Sequence, residues 1–388
     1  MNRVENLISD LCPEGVPVFS LGDIGTTVSG LRGKSKDDFS DGNAPYVSYV
    51  EIFNNPGIDF VPDKRVKVGS GENQSAIQLG DVLVTGSSET RNECGMTAVV
   101  TSNPEFPVYL NSFCFIWRPN KDVELDPQFA KHLFRGRAFR DRVIETANGV
   151  TRQNISKPKF LAIEIPLPPL VVQREVASIL NKFIELEAEL EAELKARKVQ
   201  NSHYRDDLFS LSQRFESEQL RELCVIKTGK KDVNQGNPHG PFPFFTCSRA
   251  HTYSDSYSFD TEALLIAGNG EVGLVQYFEG KFEAYQRTYV LTDFRKVQGR
   301  YLFQYLKAYL VDHLSTLKQD GTISYIKLAM LADFMIPVPP VEIQNDFIAK
   351  FEKFEKLEFE LGSELVARKS QYEYYRTKLL TFKEMDVA

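Results

Sequence analysis

Arginine, asparagine and glutamine carry paired hydrogen-bonding groups that match the edges of guanine and adenine in a DNA major groove. This chain sets several of them on short polar loops. Arg91 and Asn92 lie in the stretch from Gly86 to Gly95, between Val82-Leu83-Val84 and Thr97-Ala98-Val99-Val100. Asn269 lies in Gly268-Asn269-Gly270, between Ala263-Leu264-Leu265-Ile266-Ala267 and Leu274-Val275-Gln276-Tyr277, and Gln286 and Arg287 follow. A strand, a glycine-rich loop and a returning strand form a hairpin-like unit, and polar loops on a rigid scaffold are where binding function concentrates. Arg32, Lys34, Lys36, Ser87, Ser88 and Thr90 in the first half, with Lys230, Lys231, Asn234 and Arg249 in the second, are further candidates for DNA contact.

A basic cluster adds to these. Lys131, His132, Arg135, Arg137, Arg140 and Arg142 fall on a helix expected to begin after Asp126-Pro127, with Phe129, Leu133, Phe134 and Phe139 on its apolar side. Arg135 is the candidate DNA contact from it. The turn beyond holds Asn148, Thr151, Arg152 and Gln153, whose amides and side chains suit phosphate or base edges. The counterpart in the second half is a helix from Tyr301 to Leu317, followed by a turn with Gln319 and Thr322.

Enzyme motifs fail when tested. Gly268-Asn269-Gly270-Glu271-Val272-Gly273 has the letters of a dinucleotide fingerprint, but a β-rich run follows where a helix is required. Gly33-Lys34-Ser35 ends like a phosphate loop, yet the required first glycine is Val28. There is no Asn-Pro-Pro-aromatic box for amino-methyl transfer, and Glu193-Leu194-Lys195 sits on a helix where no nuclease site can assemble. The five histidines are isolated, and the five scattered cysteines read as reduced thiols without metal spacing.

The elements that position the loops are written twice. Ile165-Pro166-Leu167-Pro168-Pro169-Leu170, Gln173, Lys182-Phe183, Leu186-Glu187, Ala196-Arg197-Lys198, Tyr204-Arg205 and Leu208 recur 171 residues later. The later set is Ile336-Pro337-Val338-Pro339-Pro340-Val341, Gln344, Lys353-Phe354, Leu357-Glu358, Ala367-Arg368-Lys369, Tyr375-Arg376 and Leu379. Two copies of one unit follow, each a globular head and a long helix. Leu186, Leu190 and Leu194, with Leu357, Leu361 and Leu365, place an apolar stripe on each helix. Such a rod is unstable alone, and its own copy is the nearest partner. The expectation is an α+β chain: two mixed heads, an antiparallel pair of long helices meeting along that leucine seam, and a pseudo-two-fold repeat. The expected segments are 1–165, 166–213, 214–336 and 337–388.

Composition sets limits on partners. A hydrophobic share of 42% is ample for real cores, no apolar run approaches a membrane span, and the N-terminus lacks the features of a signal peptide, which points to the cytoplasm. The net charge of −7 argues against a simple electrostatic binder, so a basic surface must come from clustering rather than surplus.

The doubled Pro-Leu-Pro-Pro-Leu…Gln173 motif, the Glu-Leu-rich helix and its Ala196-Arg197-Lys198…Tyr204-Arg205 end resemble the specificity subunit of Type I restriction-modification systems. The likeness covers essentially the whole chain and is most specific in the helices. It implies a non-catalytic subunit in which each head is a target-recognition domain for one half of a split, asymmetric site in double-stranded DNA. It further implies that the helices space the heads and dock two methyltransferase subunits, and that nuclease-translocase subunits join them. S-adenosylmethionine, ATP and Mg would belong to those partners, leaving no cofactor in this chain. An adaptor whose heads bind proteins is the competing class, and a system that only methylates is a further alternative.

Overall fold

The structure, a computed structural model, describes residues 3–212, 214–317 and 325–385. Packing divides the chain into two compact units, Met1–Leu190 with Glu364–Ala388, and Glu191–Ser363. The cuts fall inside both long helices, so each head packs with half of each helix rather than ending where the sequence segments end. The long helices are Leu170–Ser212 and Val341–Leu379, each beginning directly after a Pro-Pro pair.

The first unit is built on a sheet in the order Gly25–Ser29, Cys114–Pro119, Val82–Thr85, Thr97–Val100, Gly57–Ile58. The first four strands are antiparallel neighbours and the fifth joins parallel. Every residue of Val82–Thr85 is buried, as expected of a central strand covered on both faces. Successive side chains point to opposite faces. Val82 and Val84 accordingly join a core with Trp117, Phe129, Phe134 and Val143, while Leu83 joins a second core with Ile58, Leu110 and Ile116.

The second unit repeats this plan. Its sheet runs Val225–Thr228, Thr288–Thr292, Phe259–Ala267, Val275–Ala284, Phe242–Phe245, Thr252–Ser254, and Phe242–Phe245 again joins parallel. Leu264 and Ile266 pack with Tyr301, Leu302 and Leu306 of helix Gly299–Thr316, while Leu265 packs with Phe245 and Phe282 on the other face. The first unit breaks its corresponding helix into Pro127–Leu133 and Arg137–Thr146.

Each head closes on a short antiparallel pair that leads into its long helix. Val18–Ser20 pairs with Glu164–Pro166 in the first unit, and Ser217–Gln219 with Met335–Pro337 in the second. One turn into each helix stands a fully buried glutamine. Gln173 Nε2 donates to the carbonyls of Pro168 (2.7 Å) and Glu124 (2.8 Å), and its Oε1 accepts from Asp126 N–H (2.8 Å). Gln344 does the same with Pro339 (2.8 Å), Lys296 (2.9 Å) and Gln298 N–H (2.8 Å). The sequence repeat is therefore a repeat of function in the fold: one amide locks the helix start to the segment before the head helix.

Within the first unit, Phe183 stacks on Tyr375 at 5.4 Å. Buried His132 of the head joins both helix segments, its Nε2 at 2.8 Å from Asn181 Oδ1 and its Nδ1 at 3.0 Å from Tyr372 Oη. Within the second unit, Asn201 donates to Glu358 at 2.8 Å and Tyr204 packs on Phe354 at 5.4 Å, so the two segments there run antiparallel. Of the six expected seam leucines, Leu190, Leu194, Leu357, Leu361 and Leu365 are half-buried and Leu186 is 45% exposed.

Candidate nucleic-acid interface

In the first unit Ser29 pairs with Phe115 and Thr85 with Cys114. The loops after Ser29 and Thr85 and the loop before Cys114 therefore leave the sheet from one end. Gly86 makes that end tight, because its N–H donates to the Phe113 carbonyl at 3.0 Å and a Cβ there would stand 2.7 Å from the same oxygen. A small sheet in the order Ala147–Asn148, Gln153–Ile155, Ser87–Ser88 brings the turn at 149–152 beside the 86–96 loop. Arg32, Lys34, Lys36, Ser87, Ser88, Thr90, Arg91, Asn92, Asn148, Thr151, Arg152 and Gln153 are thus carried by one end of one scaffold.

Not all of them face outward. Ser87 and Ser88 are buried, and Thr90 donates to Glu93 (2.7 Å). Lys34 is held by Glu72 at 2.5 Å and by the Lys67 carbonyl, and that lysine is the main reason the Glu72 carboxyl falls to about 2. Arg32, Lys36, Arg91, Asn92, Asn148, Thr151 and Arg152 are exposed. Arg91 makes one long contact, Nε to the Ile144 carbonyl at 3.4 Å.

The basic cluster needs correction. The Arg135 guanidinium points inward and donates to the carbonyls of Thr97, Ile52, Phe53 and Asn55. Burial lowers its pKa to about 10. Arg140 donates to the carbonyls of Asn92 (3.0 Å), Cys94 (2.9 Å) and Gly95, and Arg142 to that of Glu164 (2.7 Å). The helix breaks at Phe134–Gly136, and on either side of the break the arginines turn onto backbone carbonyls. Their charge holds the scaffold, and Arg140 staples the base of the loop that bears Arg91 and Asn92.

In the second unit the corresponding end of the sheet is set by Thr228 opposite Tyr289 and Ala267 opposite Thr288. Gly268 N–H donates to the Arg287 carbonyl at 3.0 Å, as Gly86 does to Phe113. Phe113 and Arg287 therefore hold equivalent places. A cleft of about 510 Å³ opens there, lined by Thr228, Asn269, Gln286, Arg287, Tyr289 and Tyr325 among others. Asn269, Gln286 and Arg287 line this one cleft, Gln286 Nε2 reaching Asp232 at 3.3 Å. Lys230 and Asn234 are exposed nearby in chain. Lys231 is instead turned to buried Glu283 (3.2 Å), Ser254 and Ser256, and Arg249 is paired with Glu271 (3.3 Å). Gln319 and Thr322 lie outside the described residues.

Aromatic residues also stand exposed at these ends. Phe113 is 65% exposed and Tyr325 57% exposed. The signal for Phe113 is its place in Asn111-Ser112-Phe113-Cys114, a hydrophobe at a turn before a strand.

Among the described residues no helix is long and apolar enough to cross a membrane. Two copies of one sheet-and-helix unit, each ending in donor-bearing loops, define a duplicated recognition protein. The model of the Type I restriction modification DNA specificity domain matches residues 13–197 and 213–366, and the chain belongs to this family. It is 34% identical over 137 residues to the Type I restriction enzyme EcoDI specificity subunit of Escherichia coli, an alignment covering 34% of this chain and 30% of that one. A putative type I specificity subunit of Mycoplasma pneumoniae is 30% identical over 234 residues, covering 55% of this chain and 91% of its own. The fold is similar to the crystal structure of a Type-I restriction-modification S subunit from M. genitalium, with TM-score 0.60, 16% identity and coverage of 94% and 96%. A chain from a structure describing assembly and conformational transition of the type I R-M system aligns with TM-score 0.63, 17% identity and coverage of 94% and 97%.

Proposed function

We propose that this chain is the subunit that selects the DNA sequence in a Type I restriction-modification enzyme, each unit reading one half of a bipartite, asymmetric site. The observation that carries the reading is the matched construction of the two sheet ends. In both units a glycine at the end of one strand bonds the residue before the next, and donors gather around it: exposed Arg91, Asn92 and Arg152 in the first unit, exposed Gln286 and Arg287 with half-buried Asn269 in the second. Lysine and arginine contacts to phosphate orient each head, and the loop side chains read base edges.

Two methyltransferase subunits dock on the helices in this account, and nuclease-translocase subunits complete the enzyme. S-adenosylmethionine, ATP and Mg are held by those partners. The net charge of −7 fits a division of labour in which partners supply much of the phosphate affinity.

The test is retention of DNA by the purified complex of this chain with its methyltransferase. The proposal expects retention of fragments bearing the site over scrambled fragments at physiological salt. Equal retention of both would favour an adaptor whose heads bind proteins.

A further inference from the structure

Several cations of the first head are already engaged by the protein. Arg135, Arg140 and Arg142 spend their donors on backbone carbonyls, and Lys34 is paired with Glu72. Arg152 differs from these. Its guanidinium carbon lies 5.6 Å from the centroid of the Phe113 ring, and among the described residues it has no carboxylate or carbonyl partner for its side chain.

Both members of the pair are held by their backbones. Arg152 closes a tight turn in which Gly149 has φ +130° and a Cβ on Gly149 would overlap the Arg152 carbonyl. Asn154 Nδ2 donates to that carbonyl at 3.1 Å, and Gln153 Nε2 to the Gly149 carbonyl at 2.7 Å. Phe113 is pinned by its N–H to Asn111 Oδ1 (2.9 Å) and by its carbonyl to Gly86 N–H (3.0 Å). An exposed phenylalanine on a fixed turn is costly to leave in water, and a guanidinium over its face gains a cation–π contact while keeping its in-plane donors open.

We propose that Phe113 and Arg152 form a guanine-reading pair: the ring fixes the guanidinium plane, and Arg152 donates in bidentate fashion to O6 and N7 of one guanine in the first half-site. This rests on the assignment of the chain as the DNA-selecting subunit. Phe113 is a positioning residue, and Arg152 makes the contact. Arg287 occupies the place of Phe113 in the second unit, so the ring of the pair has no counterpart at that position.

The experiment maps methylated sites in cells carrying the complete methyltransferase complex with wild-type chain, Arg152→Ala, Arg152→Lys, Phe113→Leu or the control Arg137→Ala. The wild type should show a guanine in one half-site. Arg152→Ala should relax that single position, with discrimination falling by about one to two orders of magnitude, while the other half-site and the gap stay unchanged. Arg152→Lys, whose compact ammonium lacks the planar fork that stacks on the ring, should relax it too, Phe113→Leu should do so partially, and Arg137→Ala should leave the motif intact. A half-site without guanine, or an unchanged motif in Arg152→Ala, overturns the pair while leaving the subunit assignment standing. No two-part motif in the wild type overturns the assignment itself.

Discussion

The side-chain carbonyl of Gln173 accepts the backbone N–H of Asp126 at 2.8 Å, and Asp126 in turn caps helix Pro127–Leu133 through Gln128 N–H (2.9 Å) and Phe129 N–H (3.1 Å). One buried amide thus couples the start of the long helix to the start of the head helix, 47 residues apart. Gln173→Ala strands two carbonyls and one N–H in a buried site. The first unit should lose about 2–4 kcal/mol of stability, read as a lowered denaturant midpoint. Gln344→Ala should do the same to the second unit. A midpoint shift within experimental error for both would show that the lock does not support the fold.

His132 makes stability depend on pH. Burial, the largest cause, lowers its pKa to about 4, against an ordinary 6.5. The folded state holds it neutral, with Nε2–H donating to Asn181 and Nδ1 accepting from Tyr372 O–H. The unfolded chain takes up a proton below 6.5 while the folded chain does not until about 4, so stability is full above 6.5 and declines as pH falls through that window. The difference is about 3 kcal/mol. His132→Gln should flatten this part of the stability profile, since Gln304 fills the corresponding place beside Glu355 in the second unit at 3.0 Å. Denaturant midpoints between pH 4 and 7 for both proteins decide it, and parallel profiles would rule the histidine out as the source.

Arg135 and Arg91 should part company. Arg135→Ala removes donors from four partly buried carbonyls and should destabilise the first unit by about 2–4 kcal/mol, with the specified bases unchanged in whatever protein folds. Arg91→Ala should leave the denaturant midpoint within about 0.5 kcal/mol and weaken selective binding. Thermal denaturation together with methylation mapping separates the two. A stable Arg135→Ala with altered specificity would reverse the assignment.

These two arginines also mark where the sequence stops being informative. The duplication was legible because gap-free identity at fixed offset survives folding: Gln173 and Gln344 make the same three bonds. The strand-loop-strand units around Arg91 and Asn269 were legible from their apolar runs. The direction of the basic helix was not: Gly136 marks the break locally, but which way Arg135, Arg140 and Arg142 then point depends on the packing of Phe134 and Phe139 into a core with Trp117, a long-range fit. Leucines four residues apart advance about 400° on a helix and drift about 40° at each step, so one stripe cannot stay on a single seam. Leu186 is accordingly exposed while Phe183 packs on Tyr372 and Tyr375.

The helices should act as a ruler. Inserting one Leu-Glu-Ala-Glu unit at Leu190 lengthens a helix by about 6 Å, against about 3.4 Å for each base pair along the duplex. The unspecified gap should grow by one or two base pairs with both half-sites unchanged. Altered half-sites at constant gap would refute the ruler.

The most direct measurement is the map of methylated bases in cells expressing the intact complex. Two units with matched reading ends predict two short specified sequences, different from each other, separated by a fixed run of unspecified bases. A single continuous motif, or methylation without sequence preference, would contradict the account.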